Sequence, residues 1–107
     1  MAVRNIIAAT TAAVAAGATN EFTSDGSAMI TCFNAADNID YGEVVGTVMK
    51  KNSDGSYSEL YSRFDLAKKP VIVKLTGGQM ALPLAGKGTY AFKKAVTSVA
   101  VAVDVEE

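Results

Sequence analysis

Val99-Ala-Val-Ala-Val-Asp-Val-Glu-Glu107, the last nine residues, is the stretch that decides the fold class. Val99, Val101, Val103 and Val105 recur at period two, which puts four β-branched side chains on one face of a strand. Ala100, Ala102 and Asp104 take the other face. A half-solvated antiparallel strand carries polar residues at such positions. Alanine leaves this face nearly smooth. Two forms are therefore open: a strand buried on both sides within one sandwich, or a face on which another backbone or subunit lies. In both forms these residues are built into the fold.

Working back from that strand, the chain from residue 18 onward is a series of short runs broken by turn residues at close, even intervals. Such spacing indicates a sandwich or barrel and not a helical or βαβ fold. Strands are predicted at 19–24, 28–34, 43–51, 56–61, 70–76, 79–84, 89–94 and 97–105. Ser24-Asp-Gly-Ser27 and Asn52-Ser-Asp-Gly-Ser56 each contain Asp-Gly, suited to the positive φ angles of tight hairpins. Thr76-Gly-Gly78 and Ala85-Gly-Lys-Gly88 are expected to turn two more hairpins. Val71, Val73 and Leu75 share a face, as do Met80, Leu82 and Leu84, and as do Tyr90 and Phe92. Pro83 makes its strand an edge or marks a bulge. Asp65-Leu-Ala-Lys-Lys69 suits one helical turn stopped by Pro70. The expected fold is all-β, an antiparallel β-sandwich of about eight strands. Jelly-roll and immunoglobulin-like orders both fit, because strand count does not encode connectivity.

The N-terminal segment is harder to read. Arg4 followed by Ile6-Ile-Ala-Ala-Thr-Thr-Ala-Ala-Val-Ala-Ala16 imitates a secretory signal, with Ala13-Val14-Ala15 as a cleavage box. It is only weakly hydrophobic and too short to span a bilayer. An Ala-rich helix competes on propensity, but the segment lacks an amphipathic stripe and so short a helix is marginal alone. The Ile pair and Thr10-Thr11 favour extended chain. Residues 1–17 are accordingly read as an N-terminal arm or first strand, in a chain made without a signal, and 18–107 as the sandwich domain. Ile6, Ile7, Thr10 and Thr11 are the expected docking element, since such arms add a strand to a neighbour's sheet edge. Deleting residues 2–14 is then expected to leave a folded β domain that no longer binds its partner.

With 107 residues the chain is one domain, of a size that buries roughly two-thirds of its unfolded surface without metal or disulfide staples. Half the residues are apolar but only 7% are aromatic, so the core is built of small side chains around Phe22, Phe33, Phe64, Tyr90 and Phe92. A net charge of −1 supplies no positive field for nucleic acid. Cys32, the one cysteine, lies in an apolar run and reads as a buried structural thiol, because the chain has no His to activate it. The absence of His also removes most zinc and Ser-His chemistry.

Carboxylates remain. Asn34, Asp37, Asn38, Asp40 and Glu43 offer oxygen ligands for Ca²⁺, but match no EF-hand spacing and suit an ordinary solvated loop. Asp37 and Asp40 make a poor glycosidase pair without aromatic platforms. Gly86-Lys87-Gly88 lacks the spacing of a phosphate loop and reads as a turn. The doublets Lys50-Lys51, Lys68-Lys69 and Lys93-Lys94 point to opposite faces and protect strand ends. Tyr41, Tyr57 and Tyr61 read as caps on the core edge, with a binding rim as the other use. No catalytic set, metal or cofactor is expected.

Leu84-Ala-Gly-Lys-Gly-Thr-Tyr-Ala-Phe-Lys-Lys94, followed by the Val/Ala strand, resembles small β-sandwich proteins of tailed bacteriophages. These are commonly decoration or cement subunits of capsids. The Ala/Thr-rich start followed by Thr23-Ser-Asp-Gly-Ser27 fits the same layout. The likeness is specific over about the last quarter of the chain and extends further only as layout. It implies a non-enzymatic virion structural protein that binds the outer capsid surface and stabilises the shell. The implied partners are the major capsid protein and further copies of the chain, with a trimer suited to three-fold sites. Nucleic acid and membrane are not expected partners, and the place implied is the virion surface after synthesis in the host cytoplasm. Ala100 and Ala102 join Ile6, Ile7, Thr10 and Thr11 as the expected contact residues. Three other readings stay open. One is a secreted or cell-surface β-sandwich module binding carbohydrate or protein, another a small metal-using enzyme built on Asp37, Asp40 or Glu43. The third is a tail-tube or coat subunit.

Overall fold

The computed structural model describes residues 3–25, 28–34, 43–60, 72–74, 79–81 and 87–107. Its strands are β1 (Val3–Thr10), β2 (Glu21–Ser24), β3 (Met29–Phe33), β4 (Val44–Lys51), β5 (Tyr57–Glu59), β6 (Ile72–Lys74), β7 (Gln79–Ala81), β8 (Gly88–Lys94) and β9 (Val101–Glu106). One 3₁₀ turn, Ala18–Asn20, precedes β2. Among the described residues there is no α-helix.

Two antiparallel sheets carry these strands, in the orders β1-β9-β3-β7 and β2-β8-β4-β5, with β6 also on β4. The pairings nest: β1 with β9, β2 with β8, β3 with β7 and β4 with β6. A ribbon paired in this way, with alternate pairs assigned to alternate sheets, is a jelly roll. The strand order thus decides between the two topologies that the sequence left open. β5 is an addition, folded back on β4 beside β6 through the loop 52–56. Its closing pair is Asn52 and Ser56 (2.7 Å), and the Gly55 amide donates to the Asn52 carbonyl (3.0 Å). Gly55 has φ +88°, a left-handed conformation that glycine adopts without a Cβ penalty. The loop is therefore a three-residue turn with one bulged glycine and not a two-residue hairpin.

The core lies between the sheets. Val101, Val103 and Val105 of β9 are fully buried, as their alternation requires, and face Ile30, Cys32, Val45, Val48, Phe22, Tyr90 and Phe92. Phe22 and Tyr90 stack with ring centroids 5.9 Å apart. Phe33 is half-buried, and Phe64 falls outside the described residues. β9 begins at Val101 and not at residue 97. The Thr97 hydroxyl donates to the Val99 carbonyl (2.7 Å), and such local bonding competes with the ladder.

Of the two readings of residues 1–17, arm or first strand, Val3–Thr10 takes the second and is a strand of the sandwich. The period-two pattern is hidden because β1 is bulged against β9 twice, between Asn5 and Ile7 and between Ile7 and Thr10. A bulge sets two residues against one, so the neighbours Ile6 and Ile7 both turn inward. They are 7% and 5% exposed. The ends of the ribbon are also tied to the second sheet. Arg4 Nε donates to Glu107 Oε1 (2.8 Å) and Nη2 to the Glu21 carbonyl (2.9 Å). The Thr23 amide donates to Glu107 Oε2 (2.9 Å). Arg4 and Glu107 thus cap two backbone groups of the edge strand β2. The expectation that residues 2–14 are dispensable for folding is corrected accordingly.

The predicted helical turn 65–69, the Pro83 strand position and the turn 76–78 lie outside the described residues.

Candidate functional site

The six expected contact residues separate into two groups. Ile6 and Ile7 belong to the core, so their side chains serve this chain and are not presented to a partner. Ala102 is 5% exposed, lying opposite Phe33 in the β3–β9 ladder. Thr10, Thr11 and Ala100 do come together. Thr10 pairs with Val101, and the Thr97 amide donates to the Thr11 carbonyl (3.1 Å).

Those contacts build one end of the sandwich from two connections, 11–17 and 95–100. Thr11, Ala12, Ala13, Ala15, Ala95, Val96, Ser98 and Ala100 are all exposed there, and none is charged. Val96 is 72% exposed, and Val44, across a shallow cleft from Ala95, is 43% exposed. The Ala95 amide donates to the Val45 carbonyl (2.8 Å), which fixes this loop on the start of β4. Sequence reading missed Val44, which precedes the buried Val45 in β4, and Val96, which lies in the 95–100 connection outside any strand pattern.

Of the charged groups near this end, Glu43 is paired and Lys94 is turned inward, while Lys93 is exposed and lines the cleft beside Val44 and Ala95. Glu43 accepts from the Ser98 amide (2.7 Å) and hydroxyl (2.8 Å), one on each carboxylate oxygen. These bonds, the amide first, hold its carboxyl below the ordinary glutamate range. Glu43, expected as a possible cation ligand, is here a pin for the 95–100 loop. Asp37, Asn38 and Asp40 lie outside the described residues. Lys94 is 1% exposed, and its Nζ donates to the carbonyls of Ala12 (3.1 Å) and Ala95 (3.0 Å) and to Thr97 Oγ1 (3.0 Å). Burial pushes its pKa down, with the Glu43 charge opposing. The Lys93-Lys94 doublet splits across the sheet as strand geometry demands, but Lys94 is a buried strut and not a solvated edge guard.

Other candidate groups are structural. Burial raises the Cys32 thiol to about 12, leaving no thiolate at neutral pH. Tyr57 donates its hydroxyl to the Glu21 carboxylate, which also pairs with Lys51 (2.9 Å). Tyr41 and Tyr61 lie outside the described residues. Among the described residues no group of three His, Cys, Asp or Glu gathers to hold a metal, and no helix is long and apolar enough to cross a membrane. No family model, curated protein or solved structure matches the chain.

Proposed function

We propose that the protein is a non-enzymatic capsid decoration subunit of a tailed bacteriophage, docking on the outer capsid surface and stabilising the shell. The observation that carries this reading is the uncharged surface that the connections 11–17 and 95–100 form at one end of the sandwich. Eight exposed Thr, Ala, Val and Ser residues there meet solvent with no charge among them. Depletion of charge at the centre of a contact patch is the compositional mark of interfaces, more so than bulk hydrophobicity. The resemblance of the 84–94 stretch to phage β-sandwich proteins supports the same reading. The jelly roll is in keeping with it, though the fold serves lectins as well as capsids and does not by itself carry function.

The mechanism is contact area. A subunit bridging a seam between major capsid proteins holds when its interface approaches ~1,600 Å² and is shape-matched. Symmetry repeats that contact around the shell, and self-association into a trimer at three-fold sites multiplies it. The major capsid protein and further copies of the chain are the partners, and the virion surface is the place.

The test compares thermal disruption of capsids, made from the major capsid protein of the virus encoding this chain, with and without the purified protein. The wild type should raise the disruption temperature. Val96→Lys and Ala100→Lys, both at exposed positions, should fold normally and lose the effect. Variants that stabilise shells as well as the wild type would remove this end from the contact. A wild type without effect would overturn the reading and favour the surface-module alternative.

A further inference from the structure

Residues 11–17 join β1 of one sheet to β2 of the other, and they bury little of themselves. Thr11, Ala12, Ala13 and Ala15 are exposed, while Val14 and Ala16 are half-buried. A Cβ placed on Gly17 would meet nothing within 4 Å. Polar contacts hold the segment. Val14 and Lys94 exchange both backbone hydrogen bonds (3.0 and 2.8 Å), Thr97 donates to the Thr11 carbonyl (3.1 Å) and Lys94 Nζ to the Ala12 carbonyl (3.1 Å). Asn20, fully buried, donates to the carbonyls of Ala15 (3.0 Å) and Phe92 (2.9 Å) and accepts from the Gly17 amide (2.8 Å).

These bonds complete an edge. β2 pairs with β8 from Gly88 to Ala91. Beyond it the Asn20 carboxamide takes the Phe92 carbonyl, and Val14 takes both backbone groups of Lys94. The segment thus stands in for a strand where β2 is too short. Beneath it lies an ammonium with no ion pair among the described residues.

We propose that residues 11–17 are a displaceable strap, which opens as a unit while both sheets stay intact and presents the Lys94 ammonium and the backbone groups of Lys94 on the β8 edge. Segments with few buried apolar contacts and solvent-facing backbone bonds open locally, well below the free energy of global unfolding. The flanks differ sharply from the strap. β1 is anchored by Ile6 and Ile7 and β2 by Phe22, whereas the strap adds only part of Val14 to the core. An ammonium regains its hydration when the strap lifts, which offsets part of the lost hydrogen bonding. The proposal is independent of what docks on this end.

The test acylates the full-length protein with acetyl N-hydroxysuccinimide ester at low dose, in urea below the unfolding transition, with site-resolved mass spectrometry. Amide exchange at Val14, Lys94, Thr97 and Val103 is followed in parallel. Lys94 should react more slowly than the exposed Lys50, Lys87 and Lys93, yet at least ~10-fold faster than global unfolding allows and nearly independent of urea. The Val14, Lys94 and Thr97 amides should share one opening constant. Acylation of Lys94 that follows the urea dependence of Val103 exchange would overturn the proposal. So would three strap amides with unrelated opening constants, which would mean piecemeal fraying.

Discussion

Deleting residues 2–10 should abolish the cooperative fold. The deletion removes Ile6 and Ile7, 7% and 5% exposed in the wild type, and burial of each side chain stabilises by ~1.5–3 kcal/mol. It also strips one edge from β9, opening the fully buried Val101, Val103 and Val105 to water. Arg4 goes too, so the Glu21 carbonyl on the edge of β2 loses its cap. The Ile pair alone accounts for ~3–6 kcal/mol, against a total stability for a domain of this size of ~5–15 kcal/mol. Exposure of the valines takes most of the remainder. A graded version is Ile7→Ala, expected to cost ~3 kcal/mol and to lower Tm by ~10–20 °C. Urea titrations followed by circular dichroism and tyrosine fluorescence measure both. A truncated chain with a cooperative transition at the wild-type midpoint would refute the placement of β1 in the core and return the segment to an arm.

Three further outcomes follow from the packing. Gly46→Ala places a Cβ 2.1 Å from the Lys93 carbonyl oxygen, so β4 and β8 must part, costing ~3 kcal/mol or more in ladder bonds and packing, read as a lower urea midpoint. Acid should destabilise the protein through Glu21, Glu43 and Glu107. Tyr57 and then Lys51 lower Glu21, Ser98 lowers Glu43, and the Thr23 amide with Arg4 outweighs burial at Glu107. Because their folded pKa values lie below the unfolded ones, their stabilisation is complete above the ordinary glutamate range and lost as pH falls through the folded values. The urea midpoint should therefore drop on acidification, and drop less in Glu107→Gln. Cys32, with its thiol raised to about 12 and its side chain buried, should react with iodoacetamide at neutral pH only at the rate of unfolding. Fast alkylation of the native protein would place it at the surface.

The strands and the core aromatics were legible where side-chain alternation is regular. β9, β8 and the 52–56 turn follow directly from valine spacing, Tyr90 and Phe92, and Asp54-Gly55. The pattern fails where the backbone departs from period two. The bulges of β1 put Ile6 and Ile7 on one side, so two neighbouring apolar residues did not separate a core strand from an arm. Likewise Thr97 bonds locally and shortens β9. Lys94 was read with Lys93 as a doublet protecting a strand end, whereas its strand position turns it inward, where three oxygens satisfy the ammonium. Of the contact residues, Thr10, Thr11 and Ala100 converge because of strand pairing across the whole chain length, which no local pattern encodes. Val44 and Val96 stand out only once the fold shows them exposed.

The most direct measurement is sedimentation of the purified chain with capsids of the virus that encodes it, read as bound copies per shell against free concentration. A decoration subunit binds saturably, at a copy number set by the shell's symmetry, and Val96→Lys shifts the curve to higher concentration. Non-saturating or absent binding to intact, mature capsids would contradict the proposed function.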